Sequence, residues 1–430
     1  MLKEQDMTYH NAIKFIKNAP AAIPHGSSAP ERIALLFETL GNPQKGIQYI
    51  RLAGSNGKTV AARMIIWILN RAGIENGCLS MPVHEEIREN LRINGEPISM
   101  EETVSCVEKI CHAVSLINGN AQDGAEPFCP SINEIMLCIA MLVFSEHKCS
   151  LCVIECDHNG EDPSRFLPPP LSAVICGKIP CEYPAEVAKI RSYICRGIKE
   201  IISVPQDQDA YKIISDTCVS ANCRLTMPAR KDFEIKRLAL SGTDFSFKGN
   251  DYSLHICGKF QTVNALTAIE TAEMLARYGY KIDTEAIKAG LSTVIAPCKF
   301  EVISIFPTII ADSTHSSVAI GAVCDSLADF KETTGTKIKL CLPDGELIPE
   351  YISALRERGY SIEKISALSE DNGEEGNTVD YALPVNLFKS VKLTVKDALA
   401  DLERDSILLI SGDSNFTQKI RYELLARLGF

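Results

Sequence analysis

The feature that most constrains the fold of this chain is a short glycine-rich stretch, RLAGSNGKTVAARM, at residues 51–64. The run IQYIRLAG predicts a strand before the glycines, and KTVAARMIIWILNRAG predicts a helix after them that ends at Gly73. Glycines at positions 54 and 57 permit a tight turn that presents backbone N–H groups at the start of a helix, where phosphate oxygens are attracted. The predicted phosphate-binding residues are Gly54, Ser55, Asn56, Gly57, Lys58 and Thr59.

Two residues at the end of this loop carry the chemistry that a bound nucleotide needs. Lys58 is expected against the terminal phosphates, and the hydroxyl of Thr59 is expected to coordinate Mg²⁺. Position 52 is Leu, so the longer pattern G-x4-G-K-[ST] is not met and the stretch has the shorter form Gly-x-x-Gly-Lys-Thr. The alternative is a glycine-rich turn without a ligand, but the strand–loop–helix context favours phosphate binding.

Strand and helix patterns alternate along the chain and predict an α/β fold with a mainly parallel sheet. NGCLSM, CSLCVIEC and LSAVICG predict strands, whereas SINEIMLCIAMLVFSEHK and AEVAKIRSYICRG predict helices. LALSGTDFSFKGNDYSLHICG predicts a β-hairpin added to this first domain, and QTVNALTAIETAEMLARYG predicts the helix that follows it.

A domain junction is predicted in STVIAPCKFEVIS, where a proline interrupts the chain between a helix and a strand. We therefore expect a P-loop domain over residues 1–296 and a smaller Rossmann-like α/β domain over residues 297–430. The two domains are expected to face each other across a nucleotide cleft. The polar segment SEDNGEEGNT predicts an acidic loop in the second domain.

Charge and composition argue against several classes of partner. The net charge of −11 disfavours a nucleic-acid partner, and the longest apolar run, IMLCIAMLVF, is too short to cross a bilayer. An odd number of cysteines, 17, without a secretory leader predicts reduced thiols and a cytoplasmic protein.

The segments RINGEPIS and MPVHEEIREN, together with the short phosphate loop, resemble the folylpolyglutamate synthase family, whose members are often also dihydrofolate synthases. This family lies within the Mur ligase superfamily. The resemblance implies a Mur-ligase-like fold and a requirement for ATP and Mg²⁺. It also implies that a folate-type carboxylate is activated as an acyl phosphate, which the amine of glutamate then displaces.

The resemblance also implies roles for particular residues. PSINEIMLCIAM is similar to the family's P-T-x-x-E helix and places Glu134 on the substrate side. VIECDHNGED is similar to E-V-G-L-G-G-R-x-D and makes Glu155 a carboxylate ligand of Mg²⁺ beside Thr59. The alternative for Glu155 is a strand-end carboxylate that faces solvent.

Further residues are implied at the nucleotide. CGKFQTVNALTA suggests Gln261 and Asn264 near the adenine, although both would otherwise be read as the first turn of a helix. APCKFEVI puts Lys299 in place of an arginine that touches phosphate. ADSTHSSVA is similar to D-G-A-H-N-P, so Asp312 and His315 are implied nucleotide contacts. The implied catalytic residues are Lys58, Glu155, Arg191 and His315.

The departures from the family pattern concern the metal site. Met81 stands at the family's Mg²⁺-coordinating serine, and a thioether is a poor ligand for a hard cation. Val83 replaces a histidine, and the D-H-T-E segment that holds a second metal is missing, with His158 one candidate replacement. Arg191 stands where a lysine is carbamylated, and a guanidinium cannot form that carbamate. It would either repel Mg²⁺ or neutralise phosphate directly.

Two functional classes therefore stay open at the level of sequence. One is an active ligase of the folylpolyglutamate synthase type, and the other is a catalytically degenerate nucleotide-binding homologue with a regulatory or interaction role. A Mur-type ligase acting on a cell-wall precursor is a third class. RINGEPIS argues against it, whereas Thr59 directly after the lysine slightly favours it.

Overall fold

The computed structural model describes residues 7–21, 29–54, 56–81, 86–120, 126–155, 167–179, 188, 197–314, 317–345, 347–369, 378–380 and 383–429. The chain divides into two compact units. The first comprises Met1–Arg230 and Asn264–Leu291, and the second comprises Lys231–Val263 and Ser292–Phe430.

The first unit is built on a mainly parallel sheet. Its strands are β1 (Tyr49–Gly54), β2 (Asn76–Leu79), β3 (Leu91–Ile93), β4 (Glu96–Pro97), β5 (Leu151–Glu155), β6 (Ser172–Cys176), β7 (Glu200–Ser203) and β8 (Arg224–Thr226). The described strands form one eight-stranded sheet in the order β4-β3-β2-β5-β1-β6-β7-β8. The six neighbouring strands β2, β5, β1, β6, β7 and β8 pair in parallel, whereas β3 and β4, at one side of the sheet, pair antiparallel. This mainly parallel sheet confirms the predicted α/β class.

Several helices accompany these strands. They are α1 (Tyr9–Lys17), α2 (Ala29–Thr39), α3 (Lys58–Arg71), α4 (Met100–Gly119), α5 (Ile132–Glu146), α6 (Gln208–Ala221), α7 (Lys259–Arg277), which begins in the second unit, and α8 (Thr284–Thr293). Capping boxes at Ser99 and Ser131 start α4 and α5, because each serine and the glutamate three residues later satisfy the first N–H groups. The helix predicted over 185–197 lies outside the described residues, apart from positions 188 and 197.

The second unit contains a small antiparallel sheet, formed by β9 (Phe233–Ala239), β10 (Gly242–Phe247) and β11 (Asn250–Leu254). The pairing of β10 with β11 confirms the predicted hairpin. We expected this hairpin to be part of the first domain, but it groups with the second unit. The physical reason is packing, because Leu240 and Cys257, at its two ends, are buried in the same apolar cluster as Phe300 and Ile310.

The larger sheet of the second unit is again mainly parallel. Its strands are β12 (Lys299–Ile305), β13 (Thr308–Asp312), β14 (Lys337–Pro343), β15 (Ser361–Leu368), β16 (Thr378–Asp380), β17 (Pro384–Phe388) and β18 (Ser406–Ser411). The described strands lie in the order β12-β13-β18-β14-β15-β17-β16. The helices are α9 (Ser317–Ala328), α10 (Lys331–Thr334), α11 (Leu347–Glu357), α12 (Val391–Leu399) and α13 (Ser414–Leu428).

This unit matches the second α/β unit that the strand and helix patterns predicted, whereas the exact boundary at residues 296 and 297 stays a prediction. Most of the predicted acidic loop, 370–377, lies outside the described residues. Within the described part of the chain, no helix is both long and apolar enough to cross a membrane.

Candidate nucleotide and metal site

The glycine-rich stretch forms the predicted connection between a strand and a helix. β1 ends at Gly54 and α3 begins at Lys58, with Gly57 as its N-cap in a left-handed conformation at φ 84°. A Cβ on Gly54 would lie 1.9 Å from the carbonyl oxygen of Cys176, and a Cβ on Gly57 would lie 2.3 Å from Oδ1 of Asn264. Both positions therefore require glycine, because backbone conformation and space exclude a side chain. Ser55 lies outside the described residues.

Lys58 bends back over this loop. Its side chain is buried, and Nζ donates a hydrogen bond to the carbonyl oxygen of Gly54 at 3.0 Å. The ammonium group and the N-terminus of α3 thus carry positive charge on the same short loop, which is the electrostatic environment that binds phosphate. Asn56 is exposed beside them.

Three oxygen-bearing side chains meet at the carboxyl edge of the sheet. Glu155 ends β5 and is 1% exposed. Its Oε2 accepts a hydrogen bond from the Thr59 hydroxyl at 3.0 Å, and its Oε1 accepts one from the Ser80 hydroxyl at 2.6 Å. The meeting follows from topology, because β5 lies between β1 and β2 and all three strands run in the same direction.

The charge of Glu155 is only partly compensated by protein groups. Burial raises its pKa above the ordinary value, and this outweighs the opposing effects of the Ser80 and Thr59 hydrogen bonds and of the Lys58 and Arg63 charges. Burial also lowers the pKa of the Arg63 guanidinium, with Arg92 adding to that effect. A buried carboxylate in this state gains from a nearby cation.

Ser80 is the site residue that sequence reasoning missed. Because Met81 stands at the family position of the Mg²⁺-coordinating serine, we expected that metal contact to be lost. Loss of the metal contact stays a prediction, but the structure places a different serine hydroxyl on Glu155. Met81 is buried in the apolar core of the first unit with Ile87 and Leu91, while Ser80, one residue earlier, places its hydroxyl on Glu155. The only sequence signal for Ser80 is its place in the predicted strand NGCLSM, directly before Met81.

The oxygen set of Thr59, Ser80 and Glu155 fits Mg²⁺. Two hydroxyls and one carboxylate are hard donors, and Mg²⁺ is commonly bound by one or two protein carboxylates together with substrate phosphates and water. Within the described ranges, no group of three His, Cys, Asp or Glu side chains lies close enough together to hold a metal. His158, the candidate replacement for the second-metal histidine, lies outside the described residues. Arg191, which stands in place of the carbamylated lysine, and Val83 lie outside them too.

Glu134 has a visible structural role. It is fully buried at the start of α5, and its Oε2 accepts hydrogen bonds from the backbone N–H of Ser131 at 2.8 Å and from the Ser131 hydroxyl at 3.0 Å. A guanidinium nitrogen of Arg32 lies 4.0 Å from the same oxygen. These contacts begin the helix, and a substrate contact for Glu134 stays a prediction.

Asn264 lies against the phosphate loop. It is 6% exposed in α7, and its side-chain oxygen occupies the space beside Gly57. The resemblance suggested a position near adenine, whereas the observed neighbour of Asn264 is the last glycine before Lys58. Its contact with the nucleotide stays a prediction.

The remaining predicted nucleotide residues meet within the second unit. The Gln261 amide donates to the carbonyl oxygen of Lys299 at 3.1 Å, and Lys299 Nζ donates to the Ser313 hydroxyl at 2.7 Å. Lys299 pairs with Asp312 across β12 and β13, and Asp312 Oδ2 accepts from the backbone N–H of Phe300 at 2.7 Å. The structure thus brings Gln261, Lys299 and Asp312 together, while their nucleotide contacts stay predictions. His315 lies outside the described residues.

Comparison with known proteins gives consistent matches. A probable bifunctional folylpolyglutamate synthase/dihydropteroate synthase of Halobacterium salinarum is 25% identical over 434 residues, covering 94% of this chain and 50% of that protein. The dihydrofolate synthase/folylpolyglutamate synthase of Mycobacterium tuberculosis is 25% identical over 332 residues, covering 71% of this chain and 68% of that protein. No protein-family model matches the chain.

The fold has matches among solved structures. A complex of a folylpolyglutamate synthase with AMPPCP and folate superimposes with a TM-score of 0.77 at 21% identity, covering 97% of this chain and 100% of that one. This chain spans about half the length of the Halobacterium relative. The resemblance predicted from the short phosphate loop and RINGEPIS is confirmed: the chain is similar in sequence to the folylpolyglutamate and dihydrofolate synthases and shares their fold.

Proposed function

We propose that this protein is an ATP-dependent ligase that joins glutamate to a folate-type carboxylate through an acyl phosphate. The observation that carries the proposal is the meeting of Lys58, Thr59, Ser80 and Glu155 at one edge of the sheet. The named activities of the similar proteins support the same reaction class.

Each of these residues has a distinct role in the proposed reaction. The backbone of Gly54–Thr59 and the Lys58 ammonium bind the nucleotide phosphates and hold the terminal phosphate in line with the attacking carboxylate. Thr59, Ser80 and Glu155 hold Mg²⁺, which supplies charge neutralisation at the phosphates during transfer. Asn264 supports Gly57 and so maintains the shape of the loop.

The other roles rest on the family resemblance. Gln261 and Asn264 lie near the adenine end of ATP. Lys299 contacts phosphate, and Asp312 and His315 contact the nucleotide. Glu134 lies on the folate side, and Arg191 neutralises phosphate charge in place of a carbamylated lysine. The free cysteines among the described residues are compatible with a reducing compartment, and we propose that the protein is cytoplasmic.

A degenerate nucleotide-binding homologue is the second candidate, and the missing D-H-T-E segment together with Arg191 favours it. Two metals stabilise a transferred phosphate better than one, so loss of the second would slow transfer while ATP still binds. The hydroxyl of Ser80 on Glu155 weighs against this candidate, because it supplies an oxygen that the sequence had suggested was lost.

The test is ADP release by the purified protein with ATP, Mg²⁺, glutamate and a panel of folates, with mass spectrometry of the product. We expect ADP release that requires both glutamate and a folate, and a product one glutamate heavier than its substrate. Glu155→Gln should abolish it. Glu200→Gln is a matched control, because Glu200 is also 1% exposed. Glu200 begins β7 and so lies at the amino ends of the parallel strands, whereas Glu155 lies at their carboxyl ends.

The outcomes separate the two candidates. Intact binding of ATP and Mg²⁺ without stimulation by any pair of amino acid and folate would support the degenerate homologue. Loss of activity in Glu200→Gln equal to that in Glu155→Gln, at a temperature where both are folded, would contradict the assigned role of Glu155.

A further inference from the structure

Asn90 holds the backbone of Ser80 through two hydrogen bonds. Ser80 directly follows the end of β2, and Asn90 ends a 3₁₀ turn, Ile87–Asn90, directly before β3. The backbone N–H of Ser80 donates to the backbone carbonyl of Asn90 at 2.8 Å. The side-chain amide of Asn90 donates to the backbone carbonyl of Ser80 at 2.7 Å. Both backbone groups of Ser80 are therefore bonded to Asn90, which is 1% exposed.

This arrangement controls where the Ser80 hydroxyl points. A serine side chain has one rotatable bond, so the position of its oxygen is set by the backbone and by one rotamer. The hydroxyl lies 2.6 Å from Glu155 only while the backbone of Ser80 keeps its present orientation. The strand itself ends at Leu79, and at Ser80 the side chain of Asn90 adds a second hydrogen bond to the backbone bond between the Ser80 N–H and the Asn90 carbonyl.

We propose that Asn90 is a positioning residue of the metal site: its amide fixes the carbonyl of Ser80 so that the Ser80 hydroxyl stays beside Glu155 as an oxygen ligand of Mg²⁺. This inference rests on the proposed function, because it needs the divalent metal site. Asn90 acts through Ser80 and is not itself a ligand. It explains how the chain keeps a serine oxygen at Glu155 although Met81 is turned into the core.

A double-mutant cycle tests the proposal. Calorimetry measures the binding of AMPPCP to the full chain at increasing Mg²⁺ concentrations. The quantity compared between variants is the Mg²⁺ concentration at which this binding is half-maximal. Ser80→Ala and Asn90→Asp should each raise it about 5- to 10-fold, the loss expected for one ordered oxygen contact. Because Asn90 acts through Ser80, the double variant should match Ser80→Ala within about twofold.

Asn76→Asp is the matched control on the same strand. Asn76 is fully buried at the start of β2, and its amide donates to Asn70 Oδ1 at 2.6 Å and to the Ile74 carbonyl at 2.9 Å. This control should lower the melting temperature as Asn90→Asp does, yet leave the Mg²⁺ requirement unchanged. If Asn90→Asp does not fold, the uncharged variant Asn90→Ala takes its place in the cycle.

Three results would overturn the inference. The effects of Asn90→Asp and Ser80→Ala could multiply in the double variant, Asn76→Asp could raise the Mg²⁺ requirement equally, or Ser80→Ala alone could have no effect. None of these readouts requires glutamate or folate, so a failure of ligation does not affect the cycle. Absence of Mg²⁺-dependent AMPPCP binding by the wild-type protein would overturn both the inference and the proposed function.

Discussion

Replacing Gly57 by alanine should damage the phosphate loop in a way that can be separated from simple loss of stability. Gly57 has φ 84°, and an alanine held in the left-handed region costs about 1–2 kcal/mol. Alanine also restricts the unfolded chain more than glycine does, and this offsets about 0.4–1 kcal/mol of that cost. The net loss of unfolding free energy should therefore be about 1 kcal/mol.

The contact with Asn264 adds a second, local effect. The new Cβ would lie 2.3 Å from Asn264 Oδ1, so one of the two groups must move by about 1 Å or more to reach ordinary contact. Movement of the loop misaligns the N–H groups that face phosphate. Losing one or two such charge-assisted hydrogen bonds costs about 1.5–3 kcal/mol in ATP binding, which is roughly 10- to 100-fold in affinity.

Gly73 provides the matched control for this experiment. It follows the other end of α3 with φ 68°, and nothing lies within 4 Å of an added Cβ. Gly73→Ala should lose about the same stability in urea unfolding as Gly57→Ala but keep wild-type ATP affinity by calorimetry. Equal ATP affinity in wild type and Gly57→Ala would refute the reasoning, and so would an equal loss of ATP affinity in Gly57→Ala and Gly73→Ala.

Substitutions elsewhere test separate contacts. Lys58→Ala should weaken ATP binding by about 1.5–3 kcal/mol, and calorimetry showing wild-type affinity would contradict its phosphate role. Gly290→Ala should destabilise by about 2 kcal/mol, because its Cβ would lie 2.6 Å from the backbone of α3. Gly321→Ala, inside α9 with nothing within 4 Å, should instead stabilise by up to about 1 kcal/mol in the same urea assay. Burial raises the pKa of Cys78 to about 12. Iodoacetamide at about pH 8 should therefore modify Cys78 only after unfolding, as peptide mass spectrometry would show.

Much of the fold could be predicted from the sequence because its signals are local. The apolar run before Gly54 and the helical pattern after Lys58 lie next to each other in the chain, and each is recognisable from its own periodicity. The same holds for the strands and helices of the second unit. The unit to which the hairpin belongs was not predictable in this way, because it depends on the distant residues that Leu240 and Cys257 pack against.

In the candidate site, too, the residues with local sequence signals could be predicted, whereas those brought together by packing could not. The sequence by itself determined the phosphate loop, since two glycines, a lysine and a threonine within six positions specify a turn at a helix start. It also determined that Glu155 ends a buried strand. Only the tertiary structure decided that Ser80 rather than Met81 faces Glu155, across 75 positions of the chain. The physical reason is that β2 and β5 are neighbours in the sheet, which brings the residues after β2 close to Glu155. The hydrogen bond from the Asn90 side chain to the Ser80 carbonyl then orients Ser80 so that its side chain faces the carboxylate.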